Sequence, residues 1–209
     1  MASDSYHERL WESLPADPRP PGLQLRRRFL LERLGAGGRG VLDLGCGEGQ
    51  LTAALADAGF EATGADVAEE PLRRAAEQHP GLDLRLLPAA GEWPLPDASF
   101  DAVWAGETIE HVADTAGWLS EVRRVLRSGG LLLLSTPAHG RLRMLALALS
   151  ARRLDRHFDP RSDHLHFYTR RSLTLLLADF GFEQIEVRGA GGIPGARRTL
   201  LASAVRSRF

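Results

Sequence analysis

From Gly40 onward the chain alternates short apolar runs with longer amphipathic stretches. Val41-Leu42 and Leu131-Leu132-Leu133-Leu134 are nearly continuous apolar runs, as strands buried on both faces require. The pattern predicts strands over 40–44, 62–65, 82–87, 102–104 and 131–135, with helices over 49–58, 69–78 and 117–127. Gly59, Gly81 and Gly129-Gly130 stand where those helices should stop. Strand–helix alternation with right-handed crossovers implies an α/β fold, a doubly wound and mostly parallel sheet. Ahead of it, 6–14 and 23–34 read as two helices separated by the turn-rich ADPRPPG, so 1–36 is expected to be a helical cap on a domain spanning 37–209. Residues 138–168 interrupt the alternation. Within them 141–154 reads as one apolar helix with Arg at both ends. Its apolar content favours a lid or a core-facing helix over contact with a membrane surface. A helix over 170–180 and strands over 183–187 and 199–204 then fit an antiparallel hairpin closing the sheet.

Composition narrows the class. At 209 residues the chain can bury a core without disulfide or metal staples. Hydrophobic residues at 44% and charged ones at 25% exclude disordered, collagen-like and coiled-coil proteins. The 26 basic and 27 acidic residues nearly cancel, which disfavours nucleic acid as a partner. Every basic residue is Arg and there is no Asn, a pattern of GC-rich coding. Abundant Arg is therefore a poor sign of guanidinium chemistry, and Arg26-Arg27-Arg28 reads as a solvated helix face. The single Cys46 cannot form an intrachain disulfide. The opening MASDSYHERLWESLP lacks the apolar core of a signal peptide, and the longest apolar stretch, 144–149, is too short to span a bilayer. The expectation is a cytoplasmic protein.

Between the first strand and the first helix stands Asp43-Leu44-Gly45-Cys46-Gly47-Glu48-Gly49. Open α/β sheets bind ligands at this place, beyond the carboxyl ends of the strands. The dinucleotide fingerprint needs a glycine at the sixth position from Gly45, where Gln50 stands, so that match fails. Asp66, ending the second strand, is placed to accept from ribose hydroxyls. Glu48 adds negative charge that would repel a pyrophosphate. A nucleoside carrying an amino acid and a positive sulfonium suits the loop better. With VLDLGCGEG, Asp66, LPAAGEWPLPDASFDAVWAGETIEHV and LRSGGLLLLSTP, the sequence from Gly38 onward resembles the class I S-adenosylmethionine-dependent methyltransferases. The resemblance implies a Rossmann-like seven-stranded sheet with helical lid elements. It also implies a cofactor site built from Asp43, Gly45, Cys46, Gly47, Asp66, Val67, Ala89, Ala90 and Gly106. Ala89 stands where many relatives have an acid, so a neighbouring backbone N–H would have to replace one adenine contact. Cys46 reads as a small packed residue in preference to a nucleophile. Tyr6, His7 and Trp11 are expected to cover the cofactor mouth.

Methyl transfer from a sulfonium is an in-line displacement, and a hydroxyl acceptor also needs its proton removed or its pKa lowered. Glu107, Glu110 and His111 would share one face if the segment after the fourth strand is helical. Such a face is a half-site for Mg²⁺, Mn²⁺ or Fe²⁺. Followed by Asp163-His164-Leu165-His166-Phe167-Tyr168-Thr169-Arg170, this E-x-x-E-H segment resembles the small-RNA 2′-O-methyltransferases and the ubiquinone-pathway O-methyltransferases. The resemblance implies a metal held by Glu107, Glu110, His111 and His164, with His166 as a spare. The competing reading is metal-free, since many relatives without a metal also carry Glu-His-Val here. His111, His164 or Tyr168 would then be the general base, or merely hydrogen-bonded structure. His157, Phe158 and Arg161 are further substrate contacts by position. The expected function is O-methylation of a small-molecule hydroxyl. The alternatives are 2′-O-methylation of RNA 3′ ends, metal-free N- or C-methylation, and a cofactor-binding subunit without catalysis of its own.

Overall fold

Leucine- and alanine-rich runs buried on both faces build a central seven-stranded sheet. The computed structural model describes residues 8, 9, 11–13, 15, 21–159, 161–194 and 196–208; Tyr6 and His7 lie outside them. The strands are β1 (Gly40–Leu44), β2 (Glu61–Asp66), β3 (Asp83–Leu86), β4 (Phe100–Gly106), β5 (Leu126–Pro137), β6 (Phe182–Ile193) and β7 (Ala196–Arg206). The helices are α1 (Leu23–Leu34), α2 (Gln50–Asp57), α3 (Glu69–Gln78), α4 (Thr115–Val125), α5 (Arg141–Ala148), α6 (Ala151–His157) and α7 (Arg170–Asp179). Residues 8, 9 and 11–13 are also helical. The strand order is β3-β2-β1-β4-β5-β7-β6. The first five are parallel, and β7 pairs antiparallel with both β5 and β6. The order reverses between β1 and β4, so a crevice opens at their carboxyl ends.

Side chains alternate across the sheet. Leu42, Leu44, Val103, Leu132 and Leu134 face α4 and α7 through Leu119, Val122, Leu173 and Leu177. Val41, Trp104 and Leu133 face the other way, onto Phe29, Leu30 and Leu34 of α1 and Leu55 of α2. Helix α1 is thus a layer of the core. Arg26 lies on the same stripe, three and four residues before Phe29 and Leu30, and is only 6% exposed. Arg27 and Arg28 are exposed. The solvated-face reading of the triplet therefore fails for Arg26.

Two other expectations are corrected. The single helix over 141–154 is two short helices, divided where Ser150 adopts an extended backbone. No residue of either is buried, and Leu142, Leu145 and Leu149 are exposed, so the segment does not face the core. The helix expected to reach residue 127 ends at Val125, because Leu126 already pairs with Phe100 of β4. The register then shifts, and Ala102 pairs with Leu131. No helix among the described residues is long and apolar enough to cross a membrane.

The chain returns to the crevice just before α7, where Ala138 bridges Tyr168 and the His139 N–H donates to the Tyr168 carbonyl at 3.0 Å. A capping box fixes the helix start: the Thr169 side chain accepts from the Ser172 N–H, and the Thr169 N–H donates to the Ser172 hydroxyl. Thr169→Ala removes one half of it and is expected to lower stability by about 1 kcal/mol, read from chemical denaturation.

Candidate active site

The chain turns sharply out of β1 at Gly45, with φ +75°. A Cβ there would lie 2.5 Å from the Thr108 hydroxyl oxygen, so two loops meet at this point with room for no side chain. The Asp66 carboxylate accepts the Gly47 N–H at 3.0 Å and the Ala68 N–H at 3.1 Å, tying the end of β2 to the loop. Trp11 packs on the loop from the N-terminal side, and a Cβ on Gly47 would lie 2.9 Å from its ring. Glu8 caps α3, accepting from the Glu69 and Glu70 N–H groups at 2.8 and 3.0 Å. Glu48 is 1% exposed and bound by Arg74 and Gln78 at 3.2 and 3.1 Å. Its charge is compensated within the protein, which removes the expected repulsion of a pyrophosphate. The failed glycine spacing still stands against a dinucleotide.

These elements enclose a cleft of about 310 Å³. Of the residues expected around a cofactor, Gly45, Asp66, Val67 and Ala89 line it. Glu107 and His111 line it as well, with apolar walls from Trp11, Trp93, Val112 and Trp118. Asp43 lies beneath the loop, 2% exposed, accepting from the Thr52 hydroxyl at 2.7 Å. Burial, with the Asp66 charge as a smaller contribution, pushes its carboxyl up to about 7. Burial and the same two carboxylates hold the Cys46 thiol well above its usual range, so it stays neutral. Gly106 serves packing, since a Cβ there would lie 2.7 Å from the Trp104 ring. Ala90 is exposed. Asp43, Cys46, Gly47, Ala90 and Gly106 are therefore support or rim in this structure and do not line the cleft.

Beyond β4 the backbone departs from the expected helix. Glu107 has φ +55°, a left-handed conformation unusual for a residue with a side chain. Only Ile109–His111 form a turn, of 3₁₀ type. Glu107 is consequently not on one face with Glu110 and His111. It accepts from the Ser135 hydroxyl at 2.7 Å and lies 3.7 Å from the Arg26 guanidinium. Glu110 is 1% exposed, and neither carboxylate oxygen has a hydrogen-bond partner. Burial and then the Glu107 charge push its carboxyl up to about 8.

The 163–168 segment folds back over this turn. The Leu165 and His166 N–H groups both donate to the Glu110 carbonyl, at 2.7 and 3.1 Å. His164 thereby meets His111 with ring centroids 4.9 Å apart. His111 Nδ1 lies 3.0 Å from the Asp163 carbonyl oxygen. A carbonyl only accepts, so Nδ1 holds the proton, and the lone pair sits on Nε2, 3.9 Å from Glu110 Oε1. Glu110, His111 and His164 can each offer one ligand atom within 4.8 Å of the others. The expected four-residue set is thus a cluster of three without Glu107. His166 donates Nε2–H to the Val112 carbonyl at 2.9 Å, a structural use. Tyr168 is 6% exposed in the core with its hydroxyl toward the Ile109 carbonyl, so it does not reach the cleft as a base.

Several site residues escaped sequence reasoning. Arg26 could have been found from its place on the apolar stripe of α1. Trp93 and Trp118 carry no motif. His139 lies two residues past the end of β5, and its position at a strand's carboxyl end was the available signal.

A family model described as a methyltransferase domain matches residues 16–187. The "Probable S-adenosylmethionine-dependent methyltransferase" of Mycolicibacterium smegmatis is 41% identical over 114 residues, 54% of this chain and 44% of that protein. The ubiquinone biosynthesis O-methyltransferase of Dinoroseobacter shibae is 32% identical over 160 residues, 71% of this chain and 62% of that one. The chain spans about half the length of the first curated relatives it matches. Among solved structures, the YcgJ protein of Bacillus subtilis superposes with TM-score 0.68 at 16% identity, over 89% of this chain and 100% of that one. Phosphoethanolamine N-methyltransferase 2 of Haemonchus contortus, in complex with S-adenosyl-L-methionine, gives 0.69 at 18% identity, over 98% and 57%. These two likenesses establish the Rossmann-like fold, and with a family match across most of its length the chain belongs to the methyltransferase-domain family.

Proposed function

We propose that this protein transfers a methyl group from S-adenosylmethionine to a hydroxyl of a small molecule, with a divalent cation held by Glu110, His111 and His164. The observation that carries the reading is the orphaned Glu110 carboxylate, buried beside His111 at the edge of a cleft that begins at Gly45 and Asp66. A buried carboxylate without partners costs several kcal/mol unless it is protonated or meets a cation. Bound S-adenosylmethionine supplies a methyl group already activated on a sulfonium. The chain's own residues then have three tasks. Each Asp66 oxygen can accept more than one hydrogen bond, so ribose hydroxyls are accommodated beside the Gly47 and Ala68 N–H groups. Trp11, Trp93, Val112 and Trp118 exclude water from the reacting centre. Asp163 fixes the His111 ring so that Nε2 presents its lone pair. A divalent cation there would lower the pKa of an acceptor hydroxyl. Two imidazoles and a carboxylate suit Mn²⁺ or Fe²⁺, and Mg²⁺ with added oxygen ligands. The oxygen acceptor is further supported by the likeness to the ubiquinone biosynthesis O-methyltransferase of Dinoroseobacter shibae.

The test is a Mn²⁺ titration with S-adenosylhomocysteine present, followed by electron paramagnetic resonance. Stoichiometric binding, lost in both His111→Ala and His164→Ala, is the expected result. Hydroxylated metabolites should then yield methylated product. Absence of Mn²⁺ binding would return these residues to base or packing roles and open the screen to amine, carbon and thiol acceptors. Methylation of RNA ends with no product from hydroxylated metabolites would overturn the small-molecule acceptor.

A further inference from the structure

A second cavity, of about 610 Å³, adjoins the first, and Glu107 lines both. Its other walls include His139, Arg143, His157, His164 and Arg198. Arg143 uses Nη1 on the Ala138 and Arg198 carbonyls, at 3.1 and 3.2 Å. Neither Arg143 nor Arg198 has a carboxylate partner among the described residues. His139 is 6% exposed, and neither ring nitrogen has a hydrogen-bond partner. His157 packs on it with ring centroids 5.3 Å apart, and its Nε2 is likewise without a partner. The single acid on the wall, Glu107, is already engaged by Ser135 and Arg26. The cavity therefore gathers two guanidinium groups and three imidazoles, of which His164 belongs to the proposed metal site, with no uncommitted carboxylate among the described residues on its wall.

We infer that this cavity is the acceptor's subsite and holds an anionic group of the acceptor, a carboxylate or a phosphate monoester, on Arg143 and Arg198, with His139 and His157 as the inner donors. The inference rests on the proposed function, because the wall shared at Glu107 would put such an acceptor beside the cleft. Away from His164, a cation is the wrong occupant beside His139 and His157, since both guanidinium groups would repel it. An anion turns every one of these groups into a charge-assisted donor. Burial, with the neighbouring His157 and Arg143, drives the His139 imidazole down to about 4, so the empty cavity disfavours further positive charge. A bound anion reverses that balance.

The test is calorimetric titration of the full chain with benzoate, phenyl phosphate and methyl benzoate, with and without S-adenosylhomocysteine. One of the two anions is expected to saturate a single site, with methyl benzoate at least about tenfold weaker. Tighter benzoate assigns a carboxylate acceptor, and tighter phenyl phosphate assigns a phosphate monoester. Arg198→Gln should weaken the anion about tenfold and leave S-adenosylhomocysteine affinity unchanged. Arg143 also holds backbone carbonyls, so Arg143→Lys, which keeps the charge, is the second variant and should weaken the anion by less. If neither anion saturates a site, or if Arg198→Gln binds them as tightly as the unaltered protein, the subsite is wrong. Failure of S-adenosylhomocysteine to bind, with anion binding intact, would overturn the proposed function and leave the cavity an anion site with no acceptor role.

Discussion

Asp66→Ala will weaken S-adenosylhomocysteine binding about 100-fold, close to 3 kcal/mol. The carboxylate is 7% exposed, lines the cleft, and accepts two backbone N–H groups, from Gly47 and Ala68. Alanine removes the acceptor proposed for the ribose and at once releases the turn held by the Gly47 and Ala68 N–H groups. Asp66→Asn separates these effects, because the amide oxygen keeps one acceptor while the charge is lost. Its affinity should fall between those of Asp66→Ala and the unaltered protein. Trp11, Trp93 and Trp118 line the same cleft, so intrinsic fluorescence reports the titration directly. A folded Asp66→Ala that binds within about threefold of the unaltered protein would remove Asp66 from the cofactor site.

Raising the pH from 6.5 to 8 will destabilise the metal-free protein by on the order of 2 kcal/mol, and Mn²⁺ will restore it. Glu110 is the main cause. Its carboxyl is held up at about 8 in the folded chain, against an ordinary value of 4.5. The folded state keeps this proton across a range where the unfolded state has lost it. Stability is thus complete below about 4.5 and declines as the pH climbs to 8. Asp43, raised to about 7, acts in the same direction and finishes earlier. His139, lowered to about 4 from 6.5, and His157, also lowered, act in the opposite direction, with a contribution that is already small at 6.5 and fades about one pH unit above it. The window above 6.5 is therefore dominated by the carboxyls. Glu110→Gln should flatten the decline there, leaving the Asp43 share. A cation that binds only the folded state stabilises it by mass action, so Mn²⁺ at pH 8 should raise the Tm of the unaltered protein. It should not raise that of Glu110→Gln. Parallel pH profiles for the two proteins would show that Glu110 is not the titrating group.

The sheet was legible because its evidence is local. Val41-Leu42 and the four leucines from Leu131 to Leu134 are short apolar runs bounded by turn residues, the mark of buried strands, and Gly59, with φ +84°, turns the chain just past the end of α2. The turn at Gly45 and the acid at Asp66 were legible for the same reason. A backbone approach and a strand-end acid are fixed by position along the chain. The proposed metal set was only half legible. Its residue types stood in the sequence, but the choice among them depended on a helix through Glu107 that does not form. A left-handed backbone at Glu107 and a short 3₁₀ turn send that side chain to Ser135 and Arg26.

Tertiary structure alone decided what meets across the crevice. His164 reaches His111 because two N–H groups of its segment close on the Glu110 carbonyl. Tyr168, four residues further, is drawn into the core by its pairing with Ala138. His139, Arg143 and Arg198 come together from the end of β5, from α5 and from β7. The sequence by itself determined the strands, the glycine turn and its acid, since each rests on the preferences of neighbouring residues. Which ionisable groups were buried without partners, and which faced one another, was settled only by packing, because burial and charge separation are properties of contacts between distant segments.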